Sequence, residues 1–255
     1  MNAIFRSIGY RLARYLARPD AEKASVTTCS NHDLIASLKP GDVLLVDGNS
    51  RLSSAIKYIT QSTWSHAALY VGELSPESGD ADEMQKYQLI EADITEGVRS
   101  IHLGLYCDMH VRICRPVGLS PEEIEQVIDF MKVRIGHQYD LKHIFDLARY
   151  LIRTPPVPQK HRRKLLALGS GDPTKAICSS LVAEAFQSIQ YPILPYLKIS
   201  ESSSEAEKQT QEEYLHIRHH SLYAPRDFDV SPYFQIVKPS LREGFDYRKL
   251  NWASE

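Results

Sequence analysis

KAICSSLVAEAF, residues 175–186, places a lone cysteine where an amphipathic helix begins. The spacing predicts a helix from Ser179 to about Ser188, with Leu181, Val182, Ala185, Phe186 and Ile189 on one apolar stripe. Cys178 falls on that stripe, and free cysteine packs readily as a small hydrophobe. It also sits at the helix N-terminus, where backbone N–H groups and the helix dipole lower a thiol pKa. Packing residue and nucleophile are thus both open to it. Cys107 and Cys114 fall in or beside strand-like segments and read as packing residues, and Cys29 lies in a polar link. None of the four cysteines forms a CxxC pair or a zinc spacing, so a reducing compartment fits better than a disulfide framework.

Upstream, SLKPGDVLLVDG reads as a turn at Pro40–Gly41 followed by a buried strand over Val43–Val46. SRLSSAIKYITQST gives a short helix, and SHAALYVG a second strand closed by Gly72. A polar, acidic loop covers 73–86. YQLIEADITEGVRSIHL is a hairpin turning at Thr95–Gly97, and HVRICRP is one more strand. SPEEIEQVIDFMKVRIG opens with Ser120 as cap, Pro121 at the first helical position and two glutamates at the positive end of the dipole. A further helix is expected over 141–152, then a Pro-rich break with the basic run KHRRK. The segment 200–213 is polar and expected to be mobile, and FQIVKP returns as a late strand. Strands first and packed helices afterwards imply an α+β fold with a mostly antiparallel sheet.

The 255 residues suffice for one sizeable core. Thirty Lys and Arg against 32 Asp and Glu leave no global field that points to nucleic acid. No apolar run has the length of a membrane span, and no secretory h-region precedes a cleavage site. A cytoplasmic protein is the expectation, with one qualification. Residues 1–18 place Ile4, Phe5, Ile8, Leu12, Tyr15 and Leu16 on one helical face decorated by arginines, a helix that docks either on its own domain or peripherally on a membrane.

A thiol nucleophile needs a base held by a rigid element. Of ten histidines, His66 opens the strand HAALYV, preceded by Trp64 and Ser65. Glu91 interrupts the apolar run of YQLIEAD. A buried unpaired carboxylate is costly there, so Glu91 either faces solvent or has a partner. Asp93, Glu96 and Asp140 are its rivals for orienting an imidazole.

In this order, PGDVLLV, WSHAALYVG, LIEADI, GHQYDL and ICSSLVAEAF resemble the permuted papain-like hydrolases of the NlpC/p60 superfamily, in their YiiX/YebB-like branch. The resemblance spans roughly 40–186 and the strand near Phe234. It implies a circularly permuted papain-like fold, with the histidine strand preceding the cysteine helix. The hydrolase domain would span 34–240, with an N-terminal helix at 1–20, an insertion at 141–172 and a tail at 241–255. It further implies Cys178 as nucleophile, His66 as general base and Glu91 as the residue orienting the histidine. Tyr139 matches a tyrosine common in the branch, and together with Trp64 and Ser65 supplies the expected substrate contacts. The implied reaction is thiol hydrolysis of an amide, thioester or ester in a small substrate, peptide or lipid, with no metal or organic cofactor. Lecithin-retinol-acyltransferase-like enzymes share part of the pattern but carry an NCEHF box where this chain has ICSSL. A lipid acyltransferase or phospholipase of that type, and a non-catalytic binding module on the same fold, are the alternatives.

Overall fold

A computed structural model describes residues 15–18, 27, 29–73, 86–137, 177–199, 213–216, 219–239 and 248. Its frame is one six-stranded sheet: β1 (Val43–Val46), β2 (His66–Glu73), β3 (Tyr87–Asp93), β4 (Gly97–His102), β5 (Val111–Pro116) and β8 (Phe234–Val237). The spatial order is β4-β3-β2-β1-β5-β8, and every pairing is antiparallel. β1 lies inside the sheet between β2 and β5, which is why VLLV is apolar at every position and buried at every position. A second, two-stranded sheet pairs β6 (Tyr196–Ile199) with β7 (Glu213–His216).

Among the described residues the strands are accompanied by α1 (Asn31–Ser37), α2 (Arg51–Thr60), α3 (Pro121–Lys132), α4 (Ile177–Ser188) and α5 (Pro225–Asp229). α3 starts as its sequence demands, with a reciprocal capping box between Ser120 and Glu123 and Pro121 in the first turn. Both faces of the sheet are covered. On one, Val43, Leu45, Ala67, Leu69, Ile90 and Ala92 meet α3 and α4 through Val127, Met131, Leu181, Val182, Ala185 and Phe186. On the other, Leu44, Val46, Ala68, Tyr70, Leu89 and Ile113 pack with Leu34 of α1, with Leu38 just after it and with Leu103. The two-residue alternation of β2 and β3 thus divides two cores.

The α+β expectation holds, as does each strand named for the large sheet. Three features escaped the sequence reading. α1 lies partly in what reads as a polar link, because its seven residues bury only Leu34 as a full core contact, and its start rests on a Ser30 side-chain cap. β6 and β7 flank the polar run 200–212, which lies outside the described residues. α5 is five residues long, too short for a helical period to show. The expected helix at 141–152, the insertion at 141–172 and most of the N-terminal helix and the C-terminal tail also lie outside the described residues. Of the N-terminal helix, the described end docks on the domain: Leu16 is buried, the Arg51 guanidinium lies 4.2 Å over the Tyr15 ring, and Arg51 N–H donates to the Arg18 carbonyl. Among the described residues no helix is long and apolar enough to cross a membrane.

Candidate active site

α4 begins two residues earlier than its apolar stripe suggests, so Cys178 is its second residue. Backbone N–H groups of a first helical turn have no intrahelical acceptor, and that of Cys178 is among them. Cys178 is 4% exposed. Beyond it, α4 packs across β2 and β3, and the Ser179 hydroxyl donates to the Tyr223 carbonyl at 2.7 Å. The 3-10 turn His220–Leu222, in a stretch that reads from sequence as loop, therefore lies against the cysteine helix.

His66 is the first residue of β2, opposite Val46 of β1. The two residues before it fasten the strand entry. Trp64 is buried, and its indole N–H donates to Asp229 Oδ2 at 2.9 Å. Arg112 binds the other Asp229 oxygen at 2.6 Å and lies 4.9 Å over the Trp64 ring. Ser65 is buried too, with Oγ accepting from Gly48 N–H at 2.9 Å and donating to the Val46 carbonyl at 3.3 Å. Both side chains face protein groups and fix His66. Tyr139, the third expected substrate contact, lies outside the described residues.

Glu91 is 1% exposed, which removes the solvent-facing alternative. It sits directly opposite Arg99 in the β3–β4 register, and the two side chains therefore share a face. Arg99 Nε donates to Glu91 Oε1 at 2.9 Å, and Nη2 lies in ion-pair contact with the same oxygen at 2.8 Å. The other oxygen, Oε2, lies 2.7 Å from His66 Nε2 and also accepts from the Tyr106 hydroxyl. Tyr106 belongs to the 3-10 turn Leu103–Tyr106 that follows β4. Burial pushes the Glu91 carboxyl up, but His66, Tyr106 and Arg99 outweigh it and hold the pKa at about 2. The carboxylate is ionised and accepts only, so His66 Nε2 is the donor. That leaves Nδ1 as the nitrogen free to meet another group, and the ring hydrogen-bonds the Cys178 thiol. Burial disfavours a charged His66, yet the Cys178 and Glu91 charges and hydrogen bonds raise its pKa well above the ordinary value.

Cys178, His66 and Glu91, from three separate segments, thus form one connected line. The rivals of Glu91 stand elsewhere: Glu96 bonds Arg99 at 2.9 Å and Asp93 lies 3.6 Å from it, both beside the arginine and not the imidazole. Asp140 is outside the described residues. Cys114 is buried in β5, where burial drives its thiol pKa far up, and Cys107 Sγ donates to the Gly104 carbonyl at 2.7 Å. Cys29, in the polar link, packs at the edge of a core, and burial raises its pKa.

Arg99 and Tyr106 were not legible as site residues. Arg99 had a signal: a hairpin turning between Asp93 and Gly97 carries it opposite Glu91. Tyr106 had none, because it lies beyond the strand in a turn without periodicity.

Residues 37–150 match the model of a family described as permuted papain-like amidases, the YaeF/YiiX or C92 family. The six-stranded antiparallel sheet with its packed helices is an α+β fold consistent with a permuted papain-like one. The matched span holds His66 and Glu91 and ends before α4. A solved structure titled metalloprotein yiiX from Escherichia coli O157:H7 is similar, at 17% identity over 79% of this chain and 97% of that one, with a TM-score of 0.45. No curated protein matches the chain. Among the described residues no group of three or more His, Cys, Asp or Glu is placed to hold a metal ion.

Proposed function

We propose that this permuted papain-like protein is a thiol hydrolase that cleaves an amide, thioester or ester in a small acyl-containing substrate. The observation that carries the reading is the line from Glu91 through His66 to Cys178. In it, an ionised and buried carboxylate holds Nε2–H, so that Nδ1 takes the thiol proton.

The Cys178 thiolate attacks the substrate carbonyl carbon, and the oxygen becomes an oxyanion within reach of the backbone N–H of Cys178. The tetrahedral adduct collapses, the C–N bond breaks, and His66 gives its Nδ1 proton to the leaving amine. Water then attacks the thioester carbonyl while His66 removes its proton. The second adduct expels the thiolate and releases a carboxylic acid. The proton taken from the thiol leaves with the amine, and the one His66 takes from water replaces it, so the thiolate–imidazolium pair is restored at the end of the cycle. Glu91 keeps its charge throughout and stabilises the imidazolium. Trp64 and Ser65 act in this scheme by fixing the strand that presents His66.

Incubation with a panel of small N-acyl amides and thioesters, with Cys178→Ser as control, tests the reading. Release of acid by the wild type and not by the variant supports it. Equal release by both would remove the thiol from the chemistry.

A further inference from the structure

The Glu91 carboxylate accepts from Arg99 Nε on Oε1 and is in hydrogen-bond contact with His66 Nε2 and the Tyr106 hydroxyl on Oε2, with Arg99 Nη2 in ion-pair contact with Oε1. Arg99 occupies Oε1 alone, whereas Oε2 is divided between His66 Nε2 and the Tyr106 hydroxyl. The Tyr106 ring also leans on the imidazole, with centroids 5.9 Å apart and planes at 49°. A phenylalanine would supply the ring contact equally well, so packing does not account for the hydroxyl. We propose that Tyr106 is a positioning residue that shares Glu91 Oε2 with His66 and limits how tightly the carboxylate holds the imidazole proton.

The effect rests on how a carboxylate oxygen distributes its charge. An oxygen that accepts a second strong hydrogen bond is a weaker acceptor toward the first. Burial, and next Glu91, push the Tyr106 phenol well above its ordinary pKa, so it remains a donor over the working pH range. Tyr106 therefore acts permanently against the hold of Glu91 on His66. In the proposed hydrolase, on which the functional meaning of this inference rests, the imidazolium must give up its proton to a leaving group. An unshared Oε2 would make it a poorer acid.

The test follows the His66 imidazole by NMR against pH in the full chain carrying Cys178→Ser, so that the thiol does not titrate with the ring. The signal is assigned by its loss in His66→Gln. Among the described residues the remaining charged or titratable groups about the ring are Glu91, Tyr106 and Arg99, with Asp93 and Glu96 on Arg99. Asp47 is paired with Lys57, and Asp229 with Arg112. Tyr106→Phe is expected to raise the His66 midpoint by about half to one pH unit. Site-specific 3-fluorotyrosine at 106, a stronger donor of unchanged shape, is expected to lower it. An unmoved midpoint, a downward move in the phenylalanine variant, or the same direction in both would overturn the proposal. Because Cys178 is absent from the titrated protein, failure of the thiol chemistry and failure of the tyrosine coupling are read separately.

Discussion

Glu91→Gln removes one charge from the centre of the site and keeps its volume. In the wild type the imidazolium and the carboxylate are in hydrogen-bond contact, His66 Nε2 to Oε2 at 2.7 Å. Charge centres about 4 Å apart attract by about 4 kcal/mol at an effective dielectric near 20. Arg99, bound to the same carboxylate, cancels part of that field. Taking half as the remainder gives about 2 kcal/mol, or about 30-fold in the population of the thiolate–imidazolium pair. The amide adds an orientation problem. Its NH2 must face either the Arg99 donors or His66 Nε2, and in the second case the ring must carry its proton on Nδ1, which then cannot receive one from sulfur. The assay is iodoacetamide alkylation of Cys178 at pH 6.5, followed by peptide mass spectrometry, with the fold checked by circular dichroism. The expected result is a rate about 30-fold below wild type in a folded protein. A folded variant within about threefold of wild type would refute the electrostatic reasoning.

Other outcomes follow from the same geometry. The Glu91 carboxyl titrates at about 2 in the folded chain against an ordinary 4.5, a difference of about 3 kcal/mol for so buried a group. Because the folded pKa is depressed, that stability is present above pH 4.5 and is lost as the pH falls toward 2. Urea denaturation at stepped pH should show this loss in wild type and not in Glu91→Gln. Asp42, 1% exposed and held by Arg115 Nε and Nη2 at 2.8 and 2.7 Å, ties β5 to the turn before β1. Asp42→Asn should cost about 3 kcal/mol in denaturation while leaving the pH midpoint of Cys178 alkylation in place. Cys114, fully buried in β5 with its thiol pKa driven up, should stay unlabelled by iodoacetamide until the protein unfolds.

The sheet was legible because its strands announce themselves by burial. VLLV reads as buried on both sides, and HAALYV and YQLIEA are bounded by turn residues. α3 was legible for a different reason, its capping box and first-turn proline. α1 and α5 were not, since helices of seven and five residues complete fewer than two periods and depend on caps and tertiary contacts. At the site, each of Cys178, His66 and Glu91 had a mark of its own: a helix start, a strand start, and a charge inside an apolar strand. Arg99 could be reached only through the register of the hairpin. Tyr106 could not be reached at all, because what brings it to Glu91 is the turn after β4 and not a pattern along the chain. Trp64 and Ser65 were named for their place beside His66 in sequence, and their burial and hydrogen bonds, which anchor the strand, could not be read from it.

The pairing of Cys178 with His66 is the central claim, and the alkylation rate of Cys178 against pH in wild type and His66→Ala tests it most directly. The account predicts a wild-type thiol that reacts at a midpoint well below the free-cysteine value of about 8.5 and that loses this reactivity in the variant. A Cys178 that is inert at neutral pH, or one that reacts identically with and without His66, would contradict it.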